Sequence, residues 1–176
     1  MHLLEIVLHS SEREAVVPAS VPLHPERTDA SSSESSASSD AEAVWTVVTG
    51  MYAAHEACDR EEVDARLDPE ATMWHSEADG LLLGRKDLDR LRAERAAAAS
   101  GPEWTGLDAH DPVVDVLGDT ALVRYWLRVD CAPAADGTPL RPELVRNTAV
   151  LQRGGSGAWR IVHLHEEVRQ TGGVPL

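Results

Sequence analysis

Two histidines near the carboxyl end of the chain are the first candidates for chemistry. His163 and His165 stand in a run of β-favouring residues at 157–168. Because side chains alternate along a strand, we expect both imidazoles to share the face of Trp159 and Ile161. The opposite face then carries Arg160, Val162, Leu164 and Glu166. Imidazoles at the end of an apolar face suit a ligand pocket, although histidines hydrogen-bonded within the core would give the same pattern.

A second candidate site lies nearer the amino end. His75 stands beside Trp74 in a short run, residues 71–76, that reads as a strand. Histidine suits acid–base work because its ordinary pKa of about 6.5 is close to neutral pH, so His75 could abstract a proton next to a carbonyl. Tyr52, on the inner face of a predicted helix, could donate a hydrogen bond to the developing oxyanion. Tyr52 and His55 could equally do no more than pack that helix onto the sheet.

Other kinds of catalytic site have little support. Residues two apart on a strand are about 6.6 Å apart along it, so His163 and His165 could share a metal with His75 or a carboxylate. Two such histidines are a weak signal by themselves, and we predict no metal. Cys58 and Cys131 stand in no nucleophile motif, and no phosphate loop or dinucleotide fingerprint is present. We therefore expect any chemistry to be free of cofactors.

Composition restricts the partners of this chain. Its 176 residues, 43% of them hydrophobic, are enough for one domain with a real core. A formal charge of −14 argues against nucleic acid and anionic membranes and leaves a small neutral or cationic ligand compatible. Two cysteines cannot form a disulfide scaffold, and the apolar run at residues 2–9 fits neither a signal peptide nor a membrane span. We predict a cytoplasmic protein.

The chain divides into an extension, a domain and a short tail. Residues 1–39 are rich in proline and serine and are predicted to be disordered, because they cannot bury enough apolar surface. Residues 40–170 form the predicted domain, and residues 171–176 a flexible tail. Asp40 is the predicted N-cap of a helix that runs to about residue 59.

Shorter elements follow this helix. A second helix at residues 60–67 should end before Asp68 and Pro69, because proline disfavours helix in the preceding residue. After the strand at 71–76, a third helix at residues 84–100 is stopped by Gly101 and Pro102. Long antiparallel strands are then predicted at about 103–117, 120–131, 143–153 and 157–168. This order indicates an α+β domain with its helices on one face of the sheet.

The strand at residues 120–131 supplies both an inner and an outer face. Its inner face would carry Tyr125, which would point into a cavity together with Asn147 from the next strand. Its outer face would carry Trp126 between two arginines, a composition common at protein interfaces. Homodimerisation through the sheet is the predicted partnership, and a solvated outer face with one partly covered tryptophan is the alternative.

Together these elements resemble the NTF2-like superfamily, which includes ketosteroid isomerases and SnoaL-type cyclases. The resemblance covers residues 40–170, and it implies a cone-shaped α+β barrel in which three helices pack on a strongly curved, mostly antiparallel sheet. The closing hairpin, RNTAVLQRGGSGAWRIVHLHEE, looks like the end of the association domain of calcium/calmodulin-dependent protein kinase II. Across residues 51–76 the chain is similar to ketosteroid isomerase, with Tyr52 at its oxyanion tyrosine and His75 in place of its aspartate base.

Two functions follow from this resemblance. The first is a cofactor-independent isomerase, cyclase or dehydratase of secondary metabolism that acts on a small apolar carbonyl compound. In that enzyme His75 and Tyr52 would be catalytic, and the predicted substrate-binding residues are Trp74, His55, Tyr125, Asn147, His163 and His165. The second is a non-catalytic ligand-binding or homo-oligomerisation module like the kinase association domain. We carry both forward and favour the enzyme.

Overall fold

The described part of the chain folds as an α+β domain of three helices and six strands. A computed structural model describes residues 30–98 and 103–176. Its elements are α1 (Ala30–Glu56), α2 (Arg60–Arg66), β1 (Leu67–Trp74), β2 (Leu82–Leu83), α3 (Gly84–Ala98), β3 (Trp104–Leu117), β4 (Thr120–Cys131), β5 (Glu143–Arg153) and β6 (Trp159–Gln170). The predicted fold class is confirmed. No helix within these residues is both long and apolar enough to cross a bilayer.

The six strands form one curved sheet in the order β2-β1-β6-β5-β4-β3. All neighbours are antiparallel except β1 and β6, which run parallel. Helix α1 lies across one face of this sheet, here called the inner face, and buries Val44, Val48 and Met51 against it. The pairing of β1 with β6 brings together residues that lie about 90 positions apart in the chain.

Helix α1 begins earlier than the sequence indicates. The predicted N-cap, Asp40, lies inside the helix, which starts at Ala30. Its carboxylate accepts a hydrogen bond of 2.5 Å from Arg153 at the end of β5, and that guanidinium lies 4.5 Å above the Trp159 ring. The N-cap prediction is therefore wrong, because a tertiary ion pair uses the carboxylate that local rules assign to capping. Residues 1–29 of the predicted extension lie outside the described residues.

Other boundaries differ by smaller amounts. Strand β1 starts at Leu67, directly after α2, and so includes the Asp68-Pro69 step that was expected to separate helix from strand. The predicted stop of α3 at Gly101 and Pro102 lies outside the described residues. Residues 171–176 hydrogen-bond through their backbone to Pro139 and Arg141, in the loop between β4 and β5.

An irregularity in β6 reverses the faces predicted for its second half. Leu151 pairs with Ile161, but the neighbouring Val150 pairs with His163, so Val162 is an extra residue in the ladder. Such a β-bulge shifts the alternation of side chains by one position. The following inner-face residues are therefore Leu164 and Glu166, and the prediction that His163 and His165 face inward is wrong.

Candidate functional site

A cavity of about 780 Å³ lies between the inner face of the sheet and helices α1 to α3. Most of its wall is apolar, and typical lining residues are Met51, Leu91, Leu127, Val145 and Leu164. The polar side chains on the wall are Tyr52, His55, His75, Ser76, Glu77, Arg92, Arg95, Glu143, Glu166 and Thr171. A largely apolar concavity with a few polar groups is the usual form of a small-molecule site.

His75 and Glu166 form the central polar pair of the wall. Their side chains are 14% and 12% exposed, and His75 Nδ1 lies 3.6 Å from Glu166 Oε2. The backbone N–H of Ser76 donates to the same carboxylate oxygen at 3.2 Å, and the Ser76 hydroxyl lies 3.4 Å from it. His75 immediately follows β1 and Glu166 lies on β6, so the parallel pairing of these strands creates the pair.

Tyr52 lines the cavity and contacts Tyr125 in the core behind it. Its hydroxyl is 2.8 Å from the hydroxyl of Tyr125, and the two rings meet edge to face with centroids 6.1 Å apart. Tyr52 lines the cavity, whereas Tyr125 is buried on the inner face and does not. Burial is the main cause that raises the pKa of both phenols, and the negative charge of Glu166 raises both further. Both phenols are therefore neutral donors at neutral pH.

His55 occupies the rim of the cavity and stacks on Trp104. The two ring centroids are 5.4 Å apart and the planes differ by 19°. Partial burial, followed by the positive charges of Arg95 and Arg92, lowers the pKa of the His55 imidazole. These arginines are themselves paired, Arg95 with Glu77 at 2.7 Å, so the rim mixes both signs of charge.

Glu143, at the start of β5, adds a further carboxylate to the wall. Burial is the largest cause that raises the pKa of this carboxyl, and the nearby charges of Glu77 and Glu166 raise it further. A hydrogen bond from the backbone N–H of Gly172 acts in the other direction. The polar part of the cavity therefore contains three carboxylates, and the charges of two of them raise the pKa of the third.

Asn147 is buried behind the cavity rather than on its wall. It is 1% exposed and stands in register between Tyr125 on β4 and Glu166 on β6. Its Nδ2 donates a long hydrogen bond of 3.4 Å to the Val145 carbonyl. Its Oδ1 has no hydrogen-bond partner among the described residues. Tyr125 and Asn147 thus share the inner face as predicted, but neither lines the cavity.

Besides Tyr125 and Asn147, three further predicted binding residues lie away from the cavity. Trp74 is 46% exposed, because Met73 and His75 on either side of it face the cavity. His163 Nδ1 is 2.8 Å from the Thr72 hydroxyl on the outer side of the β1–β6 pair, and His165 is exposed. These side chains cannot contact a ligand in the cavity, and alternation along β1 and the bulge in β6 are the physical reasons.

Sequence reasoning missed Glu166, Glu143 and Trp104. Regular alternation placed Glu166 on the outer face, and only the bulge turns it inward. One signal was available, since the apolar residues Trp159, Ile161 and Leu164 are spaced by two and then three positions. That spacing is what an extra strand residue produces.

The part of the chain that the structure describes contains no group of side chains arranged to bind a metal ion. No three His, Cys, Asp or Glu side chains there are grouped so that they could hold one ion. The groups that do converge, an imidazole, a carboxylate and a phenol, can accept and donate protons without a metal. The arrangement is suited to moving a proton on a ligand held in the apolar part of the cavity.

Comparison with known proteins places this architecture in a family. The SnoaL-like domain matches residues 44–168, and no curated protein matches the chain. The chain is similar to the CaMKII hub of S. rosetta, at 26% identity and a TM-score of 0.60, over 73% of this chain and 95% of that one. A proposed dehydratase of the NTF2-like family from Streptomyces avermitilis has 26% identity and a TM-score of 0.58, over 76% and 99% of the two chains.

A third structure shows the same fold at lower identity. A proposed ketosteroid isomerase from Shewanella frigidimarina is 16% identical, with a TM-score of 0.55 over 71% of this chain and 94% of that one. The family match runs from within α1 to within β6 and includes every residue that lines the cavity except Thr171 and Gly172. This protein therefore belongs to the SnoaL-like domain family.

Proposed function

We propose that this protein is a cofactor-independent isomerase, cyclase or dehydratase that acts on a small, largely apolar carbonyl compound. The observation that carries the proposal is the pair of His75 and Glu166 on an otherwise apolar wall. Both are titratable groups held mostly out of water, and such pairs occur where acid–base catalysis takes place. The cavity of about 780 Å³ has room for such a compound.

Tyr52 supports the same reaction class. Its hydroxyl can accept a hydrogen bond from Tyr125 while it donates its own proton to a ligand oxygen. A donor held in this way needs little reorganisation when negative charge develops on a carbonyl oxygen. The likeness at 26% identity to a proposed dehydratase agrees with this class of chemistry. A role in secondary metabolism is part of this proposal by family resemblance.

The experiment compares two histidines that the structure separates. Enolisable ketones are first screened for a thermal shift with the wild-type protein, and conversion of those that bind is followed by NMR. We expect His75→Ala to lower turnover at least 100-fold, because an imidazole that moves a proton or donates a hydrogen bond to the developing oxyanion contributes about 10²–10³. His165→Ala is the matched control, because His165 is exposed and outside the cavity. Equal turnover in wild type and His75→Ala would refute the proposal.

A second function, homo-oligomerisation, is favoured by the outer face of the sheet. Trp126 is half-buried there between Arg124 and Arg128, which pair with Asp115 and Asp130. We propose that this face joins two copies of the chain, and the likeness to a CaMKII hub supports it.

Sedimentation velocity tests the proposed dimer. We expect a dimer for the wild type and a monomer for Trp126→Asp, because a buried carboxylate without a partner destabilises an interface. Val174→Asp is the control, since Val174 is exposed on the carboxyl-terminal segment. A wild-type monomer would exclude the dimer while leaving the enzymatic proposal intact.

A further inference from the structure

The division of roles between His75 and Glu166 can be inferred from their hydrogen bonds. A backbone N–H can only donate, and the N–H of Glu77 points at His75 Nδ1 at 3.1 Å. Nδ1 must therefore be an acceptor, which leaves the proton of the neutral imidazole on Nε2. In this tautomer Nε2 already carries its proton, and Nδ1 can take one only if it gives up the hydrogen bond from Glu77.

The position of Glu166 is consistent with this tautomer. Its Oε2 lies 3.6 Å from His75 Nδ1, which is longer than a hydrogen bond, so the imidazole does not donate to it. The donors that do reach this oxygen are the Ser76 N–H at 3.2 Å and the Ser76 hydroxyl at 3.4 Å. Glu166 thus remains an acceptor that is held in place on the cavity wall by Ser76, which lies just after β1.

We infer that Glu166, rather than His75, is the base of the proposed reaction, and that His75 acts as a hydrogen-bond donor through Nε2–H. This inference rests on the proposed function. The carboxylate takes a proton from the carbon next to a ligand carbonyl. The C–H bond breaks, an O–H bond forms on Glu166, and the electron pair moves to the carbonyl oxygen as an enolate. His75 Nε2–H and Tyr52 O–H stabilise that oxygen, and Glu166 returns the proton to a carbon of the enolate.

Deuterium exchange isolates the first step of this sequence. Cyclohexanone and acetophenone serve as probes in deuterium oxide, because loss of their α-hydrogen signals reports proton abstraction without a complete reaction. We expect exchange with the wild type and a loss of at least 100-fold in Glu166→Gln. His75→Gln should stay within tenfold of the wild type, since its amide N–H can replace the imidazole donor. His165→Gln is the matched surface control.

The opposite ranking would overturn the inference. If His75→Gln abolished exchange and Glu166→Gln preserved it, the imidazole would be the base and the proposed function would still stand. If the wild type exchanged neither ketone, the proposed function itself would fail. Thermal melts of each variant exclude misfolding, and glutamine at position 166 keeps an oxygen that can accept from Ser76.

The tautomer can be measured without any variant or ligand. Nitrogen-15 NMR of the wild-type protein at neutral pH distinguishes a protonated Nε2 from a protonated Nδ1 through their couplings to the ring hydrogens. We expect the His75 proton on Nε2. A proton on Nδ1 would leave Nε2 free to accept one and would refute the assignment of the base to Glu166.

Discussion

The pair of phenols behind the cavity offers a quantitative test of how the site is built. Replacing either Tyr52 or Tyr125 with phenylalanine removes one hydroxyl of a 2.8 Å hydrogen bond and keeps the ring. The edge contacts between the rings, and that between Tyr125 and Trp45 at 5.6 Å, are then retained. The change in the free energy of unfolding therefore reports the hydroxyl pair rather than the packing of the aromatic rings.

The two single substitutions should differ in cost. Tyr125 is 3% exposed and lies outside the cavity, so Tyr52→Phe leaves the Tyr125 hydroxyl buried with no access to water. An unsatisfied buried group costs about 1–3 kcal/mol, and we expect about 2 kcal/mol here. Tyr52 borders the cavity, where water can replace its lost partner, so Tyr125→Phe should cost only about 1 kcal/mol.

The double variant completes the cycle. With both hydroxyls absent, no buried hydroxyl is left without a hydrogen-bond partner. We therefore expect the free energy of unfolding to decrease by about 1 kcal/mol or less, rather than by the sum of about 3 kcal/mol. Urea unfolding followed by tryptophan fluorescence measures all four proteins, and equal m-values support the comparison. A double variant that loses the full sum would show that the hydroxyls do not interact, which would refute this description of the site.

Three further predictions concern stability. Burial raises the pKa of Tyr52 and Tyr125, whereas both phenols ionise near pH 10 in the unfolded chain. Their contribution to the free energy of unfolding should therefore be complete below pH 10 and decrease above it. This decrease should be smaller in the double phenylalanine variant. Asn147→Leu removes an amide with an unpaired oxygen, so urea unfolding should show no loss, and a loss above about 2 kcal/mol would reveal a hidden partner. Gly84→Ala and Gly118→Ala both place a side chain at positive φ, and Gly118→Ala should cost about 1 kcal/mol by urea unfolding. Gly84→Ala should cost more, because its Cβ would lie 3.0 Å from a β1 carbonyl, and equal losses would contradict that contact.

Much of the architecture could be predicted from local patterns. The strands β4 and β5 span the residues that alternation of apolar and polar side chains indicated, and the turns between the long strands lie at the predicted glycines. The inner face of β4 also follows the pattern, with Tyr125 and Leu127 buried. These features depend on side-chain periodicity and turn chemistry, and both are determined by residues that are close together in the sequence.

The candidate site was only partly predictable. His75 and Tyr52 were identified from residue type and family resemblance, and both line the cavity. His163 and His165 were placed inside because regular alternation was assumed, and one extra residue in β6 moves them outside. The same shift brings Glu166 onto the wall. A one-residue change of register reverses every side chain that follows it, so a single bulge decides which residues can meet a ligand.

The sequence by itself determined the order of the three helices and of every strand except the two-residue β2, the family resemblance and one half of the candidate acid–base pair. Tertiary structure decided the other half, because Glu166 reaches His75 only through the parallel pairing of β1 with β6. It also decided the tautomer of His75, which depends on a backbone N–H aimed at one ring nitrogen. Periodicity is a local property of the chain, whereas distances between side chains on different strands depend on register, bulges and the packing of the whole sheet.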